Sequence, residues 1–509
     1  MYKLHLILKY LRKRRIAWVS LVAVTLCTTM VIVVISVMGG WLRMFEQSFH
    51  GLSGDIIVDA NSLTGFGHYQ DMIDRIEKLD SVEAAVPTIR TFALINISNR
   101  KSVGVQVMGF PIDKIGRVNQ FPQSLWRAYN EPLEQAKTPG LNPDERERLK
   151  AEANDRVNHP SFDKPLPAEA YRRIIKWQPG RGKDPADWPG MIPGAGILNI
   201  TRDREGNIIG RDEVLYEYPV KMTVLPISPD FMSVDLQGKR ERNYWIVDDS
   251  RTQIWQYDST YVYVPFAELQ ADLDMDAKTV RDRKTNEEVK LPARTTDIHV
   301  SVKPGWREGA KLQEAKAQIQ KVVAEVLAEK RAAGLEPYTN LADPEVQTWR
   351  ETQHTWLDAV ENEKLLTVVL FAIISVVAIF LIFCIFYMVV AEKTKDIGII
   401  KSVGASAGGV AGIFLGYGLA IGLVGAGLGL LASFLIVKYI NEIHHWLGER
   451  LGVTVWNPEV YLFDKIPNTM NPREVTIIVS IAIVASVIGA LVPAIRAARM
   501  NPVEALRWE

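Results

Sequence analysis

Cysteine is nearly absent: Cys27 and Cys384 are the only two in 509 residues, and both lie in apolar segments. A disulfide scaffold is therefore not expected, and the two thiols read as small buried hydrophobes. Charge of one sign is also missing. The 59 basic and 59 acidic side chains cancel, so no global signal for nucleic acid is present. No G-x-x-x-x-G-K-[ST] occurs, so a P-loop for ATP is excluded, and neither H-E-x-x-H nor G-x-S-x-G is found. His444-His445 has no evident third ligand for a metal. "DLDMD" (272–276) lacks the Gly and distal Glu of a calcium loop and reads as a helix-end turn. No catalytic residue, bound cofactor or metal is expected, and the chain does not read as an enzyme.

Charge is absent in a second, local sense. Ile16–Gly40 is uncharged for 25 residues, Leu365–Ala391 for 27, Ser402–Val437 for 36 and Val475–Ile495 for 21. About 20 apolar residues cross a bilayer core, so each run qualifies as a transmembrane helix. The first exceeds the apolar length of a cleaved signal and is expected to remain as an anchor. No Asp, Glu, Lys, Arg or His interrupts the core of any run, which disfavours proton relays, ion pathways and intramembrane catalysis.

Orientation follows from the flanks. Lys3, Lys9, Arg12, Lys13, Arg14 and Arg15 precede the first run; Lys393, Lys395 and Lys401 follow the second; Arg496, Arg499 and Arg507 follow the fourth. With four spans these segments share one side, which the positive-inside rule makes cytoplasmic. The expected order is a cytoplasmic segment 1–15, a first span 16–40 and an extracytoplasmic domain 41–343. A stalk helix 344–364, a second span 365–391 and a cytoplasmic helix 392–404 follow. The rest is a third span 405–437, an outer loop 438–474, a fourth span 475–495 and a cytoplasmic tail 496–509.

The outer block is mixed α+β. "DIIVDA" (55–60), "FALINIS" (92–98), "VGVQVMGF" (103–110), "VKMTVLPIS" (220–228), "YVYVPF" (261–266) and "DIHVSVKPG" (297–305) read as strands, short and β-branched-rich between turn residues. Residues 69–87 read as an amphipathic helix leading to a strand. Residues 307–334 read as a helix closed by Gly334. Residues 123–190, rich in charge, Pro and Trp, read as a surface insertion with helices; Asn142 can cap one and Pro143 can open it. Asp343-Pro344 reads as a helix start, and no Pro or Gly follows it up to Ala391, which predicts one helix of about 70 Å, longer than the ~30 Å bilayer core. Trp349, Trp356, Leu357 and Val360 fall near one face of its protruding stalk. The third span carries Gly408, Gly412, Gly416, Gly418 and Gly422, small residues that let membrane helices pack closely.

Between the second and third spans stands "EKTKDIGIIKSVGAS" (392–406). Ile397, Ile400 and Val403 recur every three residues, while Lys393, Lys395, Asp396 and Lys401 occupy other positions. This pattern predicts a short amphipathic helix closed by Gly404. Its apolar face has two possible uses: contact with lipid headgroups, or a peg for a cytoplasmic partner. The residues alone do not separate them.

Four stretches carry a resemblance: "VVISVMGGW" (33–41) with "GLSGDIIV" (51–58), "QYDSTYVYVPFAELQ" (256–270), "VVAIFLIFCIFYMVVAEKTKDIGIIKSVGAS" (376–406) and "NPVEALRWE" (501–509). In this order they resemble the ABC transporter permeases of the FtsX/MacB superfamily, most of all its lipoprotein-releasing LolC/LolE branch. The sequence departs from the family at Leu381, where an Asn is frequent, and in the 123–190 insertion. The resemblance implies an inner-membrane fold of four transmembrane helices with a MacB-like extracytoplasmic α+β domain. It implies a dimer, from a second copy or a homologue, and a separate LolD-like cytoplasmic ATPase holding ATP and Mg. It also implies a lipoprotein substrate and a periplasmic lipoprotein carrier as a partner. In that picture the 392–404 helix is the ATPase-coupling element. The rival implications are a MacB-like efflux permease for peptides or small molecules and an FtsX-like regulator of cell-wall hydrolases.

Overall fold

A computed structural model describes residues 15–97, 102–138, 140–158, 160–162, 184–198, 201–202, 208–209, 219–226, 238–252, 254–281, 288–335, 343–451 and 466–507. The chain divides into two compact units. One comprises Met1–Met44, Thr355–Trp456 and Lys465–Glu509; the other comprises Phe45–His354 and Asn457–Asp464.

The helices are α1 (Arg15–Ser53), α2 (Tyr69–Ile76), α3 (Pro143–Asn158), α4 (Phe266–Asp272), α5 (Gly309–Ala332), α6 (His354–Glu392), α7 (Thr394–Ser402), α8 (Ala407–Lys438), α9 (Ile440–Leu451), α10 (Pro472–Arg499) and α11 (Pro502–Arg507), beside several single turns. The strands of the main sheet are β1 (Ile56–Asp59), β2 (Val82–Ile97), β3 (Val103–Phe110), β4 (Gly190–Pro193), β5 (Pro219–Val224), β6 (Arg240–Ile246), β7 (Tyr261–Pro265), β8 (Asp297–Val302) and β9 (Glu345–Thr348).

The outer unit is organised by β2. The sheet runs β9-β1-β8-β2-β3-β7-β4-β6-β5, and β5 pairs back onto β2. The first half of β2 pairs with β8 up to Thr88↔Asp297, and its second half pairs with β5 from Ala93↔Val224. Six strands thus close a barrel, which removes the exposed edges of an open sheet. Ile89, Val105, Val107, Met191, Val220, Met222, Tyr244, Val262 and Val264 fill its interior, together with Leu269 and Leu273 from the α4 segment. On the open part, Ile56, Val58, Ile298 and Val300 pack on Met72, Ile73 and Ile76 of α2 and on Ile319, Val323 and Val326 of α5.

Three expectations change in this unit. Residues 345–348 are a strand, not the start of a long helix: Val346 and Thr348 are buried, and β9 pairs with β1. Thr348 then caps a single turn, Trp349–Thr352, through a capping box with Glu351, and the helix restarts at His354. Trp349 and Leu357 therefore lie on different helices; the side chains of Trp356 and Val360 are outside the described residues. The ends of 123–190 are core rather than surface. Leu125 and Trp126 are buried with Phe121 and Tyr263 against the barrel, and Trp188 stacks on Trp245 at 5.3 Å. Between them α3 forms from Pro143 as expected, with Asp144 N donating to Asn142 Oδ1.

In the other unit, among the described residues, four helices are long and apolar enough to cross a membrane: Trp18–Met44 within α1, Leu357–Glu392 within α6, and all of α8 and α10. Alternating glycine positions set their packing. A methyl at Gly418 would sit 2.6 Å from Ala490 Cβ, and one at Gly422 3.0 Å from Ser486 Cβ, so this pair seats α8 on α10. Gly425 and Gly429 seat it on α1, where Thr25 and Thr29 Oγ1 donate to their carbonyl oxygens at 3.2 Å each. The close-packing set is therefore 418, 422, 425 and 429. Gly408 and Gly412 do not belong to it: Gly408 has open space where a side chain would stand, and Gly412 is exposed. Gly416 is half-buried.

Candidate functional site

α6 ends at Glu392, and the chain turns once at Lys393 before α7 begins. Lys393 pairs with Asp396 across the first turn, and Thr394 Oγ1 donates to Ala391 O at 2.8 Å. The helix closes as its sequence predicts. Gly404 adopts φ +100°, its N–H reaches Lys401 O, and Ala405 N–H reaches Ile400 O at 3.2 Å. This Schellman arrangement satisfies carbonyls that the last turn would otherwise leave unpaired. Ser406 then caps α8 by accepting from Gly409 N at 3.1 Å.

α7 presents two apolar faces. Ile397 points inward and is 3% exposed, packed with Ile385, Val389, Val390, Val410, Phe414 and Ala494. Ile400 is half-buried beside it, lining a small cleft with Lys393, Asp396 and Phe414. Ile399, 52% exposed, and Val403, 85% exposed, point outward, with Lys395 exposed on the same helix. The expected peg of Ile397 and Ile400 is thereby corrected. Those residues hold the helix onto the unit's own core, and the free apolar surface is Ile399 and Val403. A three-residue repeat could not decide which of several isoleucines faces in.

Lys401 has a different task from the one its charge suggested. Its Nζ donates to Ala498 O at 2.8 Å and to Met500 O at 2.6 Å. It therefore caps the C-terminal end of α10, where a cation is also favoured by the helix dipole. The Arg496 guanidinium lies 4.4 Å from the Tyr387 ring centroid, tying α10 to α6. α11 continues from this corner; Ala505 is buried and Val503 is 64% exposed. Ile399 and Val503 carried no distinguishing signal in the sequence. Thr25 and Thr29 did, as two hydroxyls four apart on an apolar helix.

Between α1, α6 and α10 lies a cavity of about 480 Å³, lined by Val24, Thr28, Phe371, Ile382, Ile478 and Ser486 among others, with Glu474 at its margin. Its lining is almost wholly apolar. Thr28 Oγ1, on a residue 1% exposed, has no hydrogen-bond partner among the described residues.

In the outer unit the "YDS" stretch is structural. Asp258 is buried and accepts from Thr252 N at 2.8 Å and Thr252 Oγ1 at 2.9 Å; burial pushes its carboxyl up to about 7. Asp248 accepts from Arg127 N and Ala128 N, and burial together with neighbouring Asp249 raises it to about 7. Arg90 reaches across the fork of the sheet to Asp59 at 2.7 Å and to Asp297 at 2.6 Å. Among the described residues no group of His, Cys, Asp and Glu is placed to hold a metal ion, the His444-His445 pair included.

Residues 368–502, which contain α7, α8, α9 and α10, match the FtsX-like permease C-terminal family. That stretch therefore carries an FtsX-like permease domain. The chain is 31% identical over 164 residues to the "Lipoprotein-releasing system transmembrane protein LolC" of Neisseria meningitidis serogroup B, covering 32% of this chain and 40% of that one. It is 31% identical over 134 residues to the LolE protein of the same description from Haemophilus influenzae, covering 26% and 31%. The permease thus matches less than half the length of these relatives. Its structure also aligns with the periplasmic region of MacB from Actinobacillus actinomycetemcomitans, at 10% identity and a TM-score of 0.25, over 60% of this chain and 92% of that one.

Proposed function

We propose that this permease works with a separate cytoplasmic ATPase, docked on the outward face of α7, to move lipoproteins out of the inner membrane. The observation that carries this reading is the division of labour on α7. Ile397 and Lys401 fix the helix to the ends of α6, α8 and α10, so that a push on Ile399 and Val403 reaches three membrane helices without first bending the connection. The missing P-loop gives that surface its need: ATP and Mg belong to the partner chain. The relatives named as lipoprotein-releasing proteins supply the class of cargo. The 480 Å³ apolar cavity has the size and lining of a lipophilic-ligand site. In this reading the N- and C-termini are cytoplasmic, the permease acts as a dimer with a second copy or homologue, and a periplasmic carrier receives the lipoprotein. Trp349, Leu357 and the α6 segment between them and the bilayer pass the motion outward.

The test separates docking from folding. Ile399→Asp with Val403→Asp is expected to abolish co-purification of the ATPase and ATP-dependent release of a lipidated reporter from proteoliposomes. The variant's detergent-solubilised thermal stability should stay within a few degrees of the parent, as surface changes usually do. Retained co-purification with parent-level release would overturn the docking reading. Intact docking without release above an ATPase-dead control would overturn the cargo.

A further inference from the structure

Beyond the α7 surface, the membrane unit carries a second amphipathic helix at the opposite ends of the same spans. α8 ends at Lys438, where Asn468 Nδ2 donates to Val437 O at 2.6 Å. After one turn at Tyr439, α9 runs for 12 residues. Asn441 ties it to the segment that leads into α10. Ile466 N donates to Asn441 Oδ1 at 2.7 Å, and Asn441 Nδ2 donates back to Ile466 O at 3.4 Å.

At about 100° per residue, Ile443, Trp446 and Leu447 share one side of α9, where Arg450 also stands in the last turn, with Asn441 on the other. Ile443 is 39% exposed and Trp446 58% exposed, and Tyr439 before them is 45% exposed. This is an apolar face that the unit's own fold leaves open. Glu442 and His445 are exposed on a separate arc.

We propose that α9 lies in the bilayer interface, with Ile443, Trp446 and Leu447 dipped among the acyl chains nearest the headgroups. The position decides the occupant. α8 is a membrane-length helix whose exposed Leu428, Leu431 and Leu435 mark its outward side, and only Tyr439 separates its last residue from α9. The helix therefore starts at the depth where a span leaves the hydrocarbon. The chemistry fits that depth. Trp and Tyr favour the membrane–water boundary, and Lys438, 5.3 Å from the Tyr439 ring centroid, is a cation placed to meet lipid phosphates. A helix with one apolar and one charged side lies along such a surface rather than crossing it. Its role is to fix the height of the outer end of α8 while the helices around it move.

The test uses the full chain in phospholipid nanodiscs, with Cys27→Ala and Cys384→Ala as background. Single nitroxide labels go at 442, 443, 445 and 446 through cysteine substitutions, and oxygen and Ni-EDDA collision rates are measured. The expected result is a several-fold excess of oxygen over Ni-EDDA access at 443 and 446, and the reverse at 442 and 445. Equal Ni-EDDA access at all four sites would overturn the proposal by placing the helix in water. Exclusion of both probes from 443 and 446 would overturn it in favour of a protein partner or second copy. Should a labelled variant fail to remain monodisperse, the unmodified chain is photolabelled with a phospholipid carrying a diazirine near the top of its acyl chain. Adducts mapping to 440–450 support the assignment, and none there rejects it.

Discussion

Ile397 and Ile399 are two positions apart on a nine-residue helix, about 200° around it, and so face opposite ways. The first is packed among membrane-helix side chains and the second meets solvent. Ile397→Ala should cost about 2–4 kcal/mol, as for other buried aliphatic truncations, and lower the thermal midpoint of the purified permease. Ile399→Ala should change it by no more than about 0.5 kcal/mol. Equal shifts would mean the helix is not seated as described. Lys401 is the other deciding residue, since its ammonium serves two carbonyls at the end of α10. Hydrogen bonds to charged groups contribute about 1.5–3 kcal/mol when buried, and less here because the side chain is half-buried. Lys401→Met is expected to speed amide exchange of 496–507 roughly tenfold, the change that about 1.4 kcal/mol of local stability gives. Unchanged exchange would show that the cap does not hold this corner.

At the scale of elements, α8 tests how glycines place helices. A side chain at Gly429 would meet Thr28 Cβ at 2.8 Å and Thr25 O at 3.0 Å, so Gly429→Val should force α1 away and break the two threonine hydrogen bonds. We expect at least 2 kcal/mol of lost stability, about the scale of overpacking a close contact. It would be read as loss of the monodisperse peak after heating in detergent. Gly427→Ala, on the open side of the same helix, should be neutral or stabilise by up to about 1 kcal/mol through helix propensity. Similar losses for both would show that helix propensity, not close approach, governs this span. These elements also show what sequence could carry. The four spans, α5, α7 and six strands were legible because they depend on runs, periods and punctuating residues. The barrel was not: its closure depends on β2 changing partners between Thr88 and Ala93, a long-range event with no local pattern. β4 and β6 were missed because Gly190, Pro193 and the charged start "RERN" hide strands whose burial comes from neighbours. β9 was missed because "EVQT" continues into good helix formers and only its pairing with β1 reveals it. At the candidate site the stretch was legible and its orientation was not, since three neighbouring isoleucines offer several apolar faces and only the surrounding helices choose between them.

At the scale of the whole molecule, the outer unit carries buried ionisable groups whose signs oppose one another, and this makes its stability depend on pH in a definite direction. Asp248 and Asp258 are raised to about 7 chiefly by burial, against an unfolded value near 3.9. Each therefore adds stability below its unfolded value and loses it as pH rises through about 7, so acidification from pH 8 should stabilise the unit. His299, fully enclosed in the sheet, is lowered to about 3 by burial and by Arg90; its stabilising effect is present above about 6.5 and lost as pH falls below that. Below about 6.5 the protons excluded from His299 and His68 oppose those taken up by the two carboxyls, so the trend weakens. Above 6.5 the carboxylates act alone. Hydrogen exchange of the β7 and β8 peptides, measured on the full chain and corrected for intrinsic rates, should therefore slow as pH falls from 8 to about 6.5. Asp258→Asn keeps an oxygen for Thr252 while removing the charge. It should raise protection at pH 8 and flatten this dependence. If protection instead falls on acidification, the carboxyls are ionised in the folded unit, and the barrel's buried acids are held by their hydrogen bonds rather than neutralised by burial.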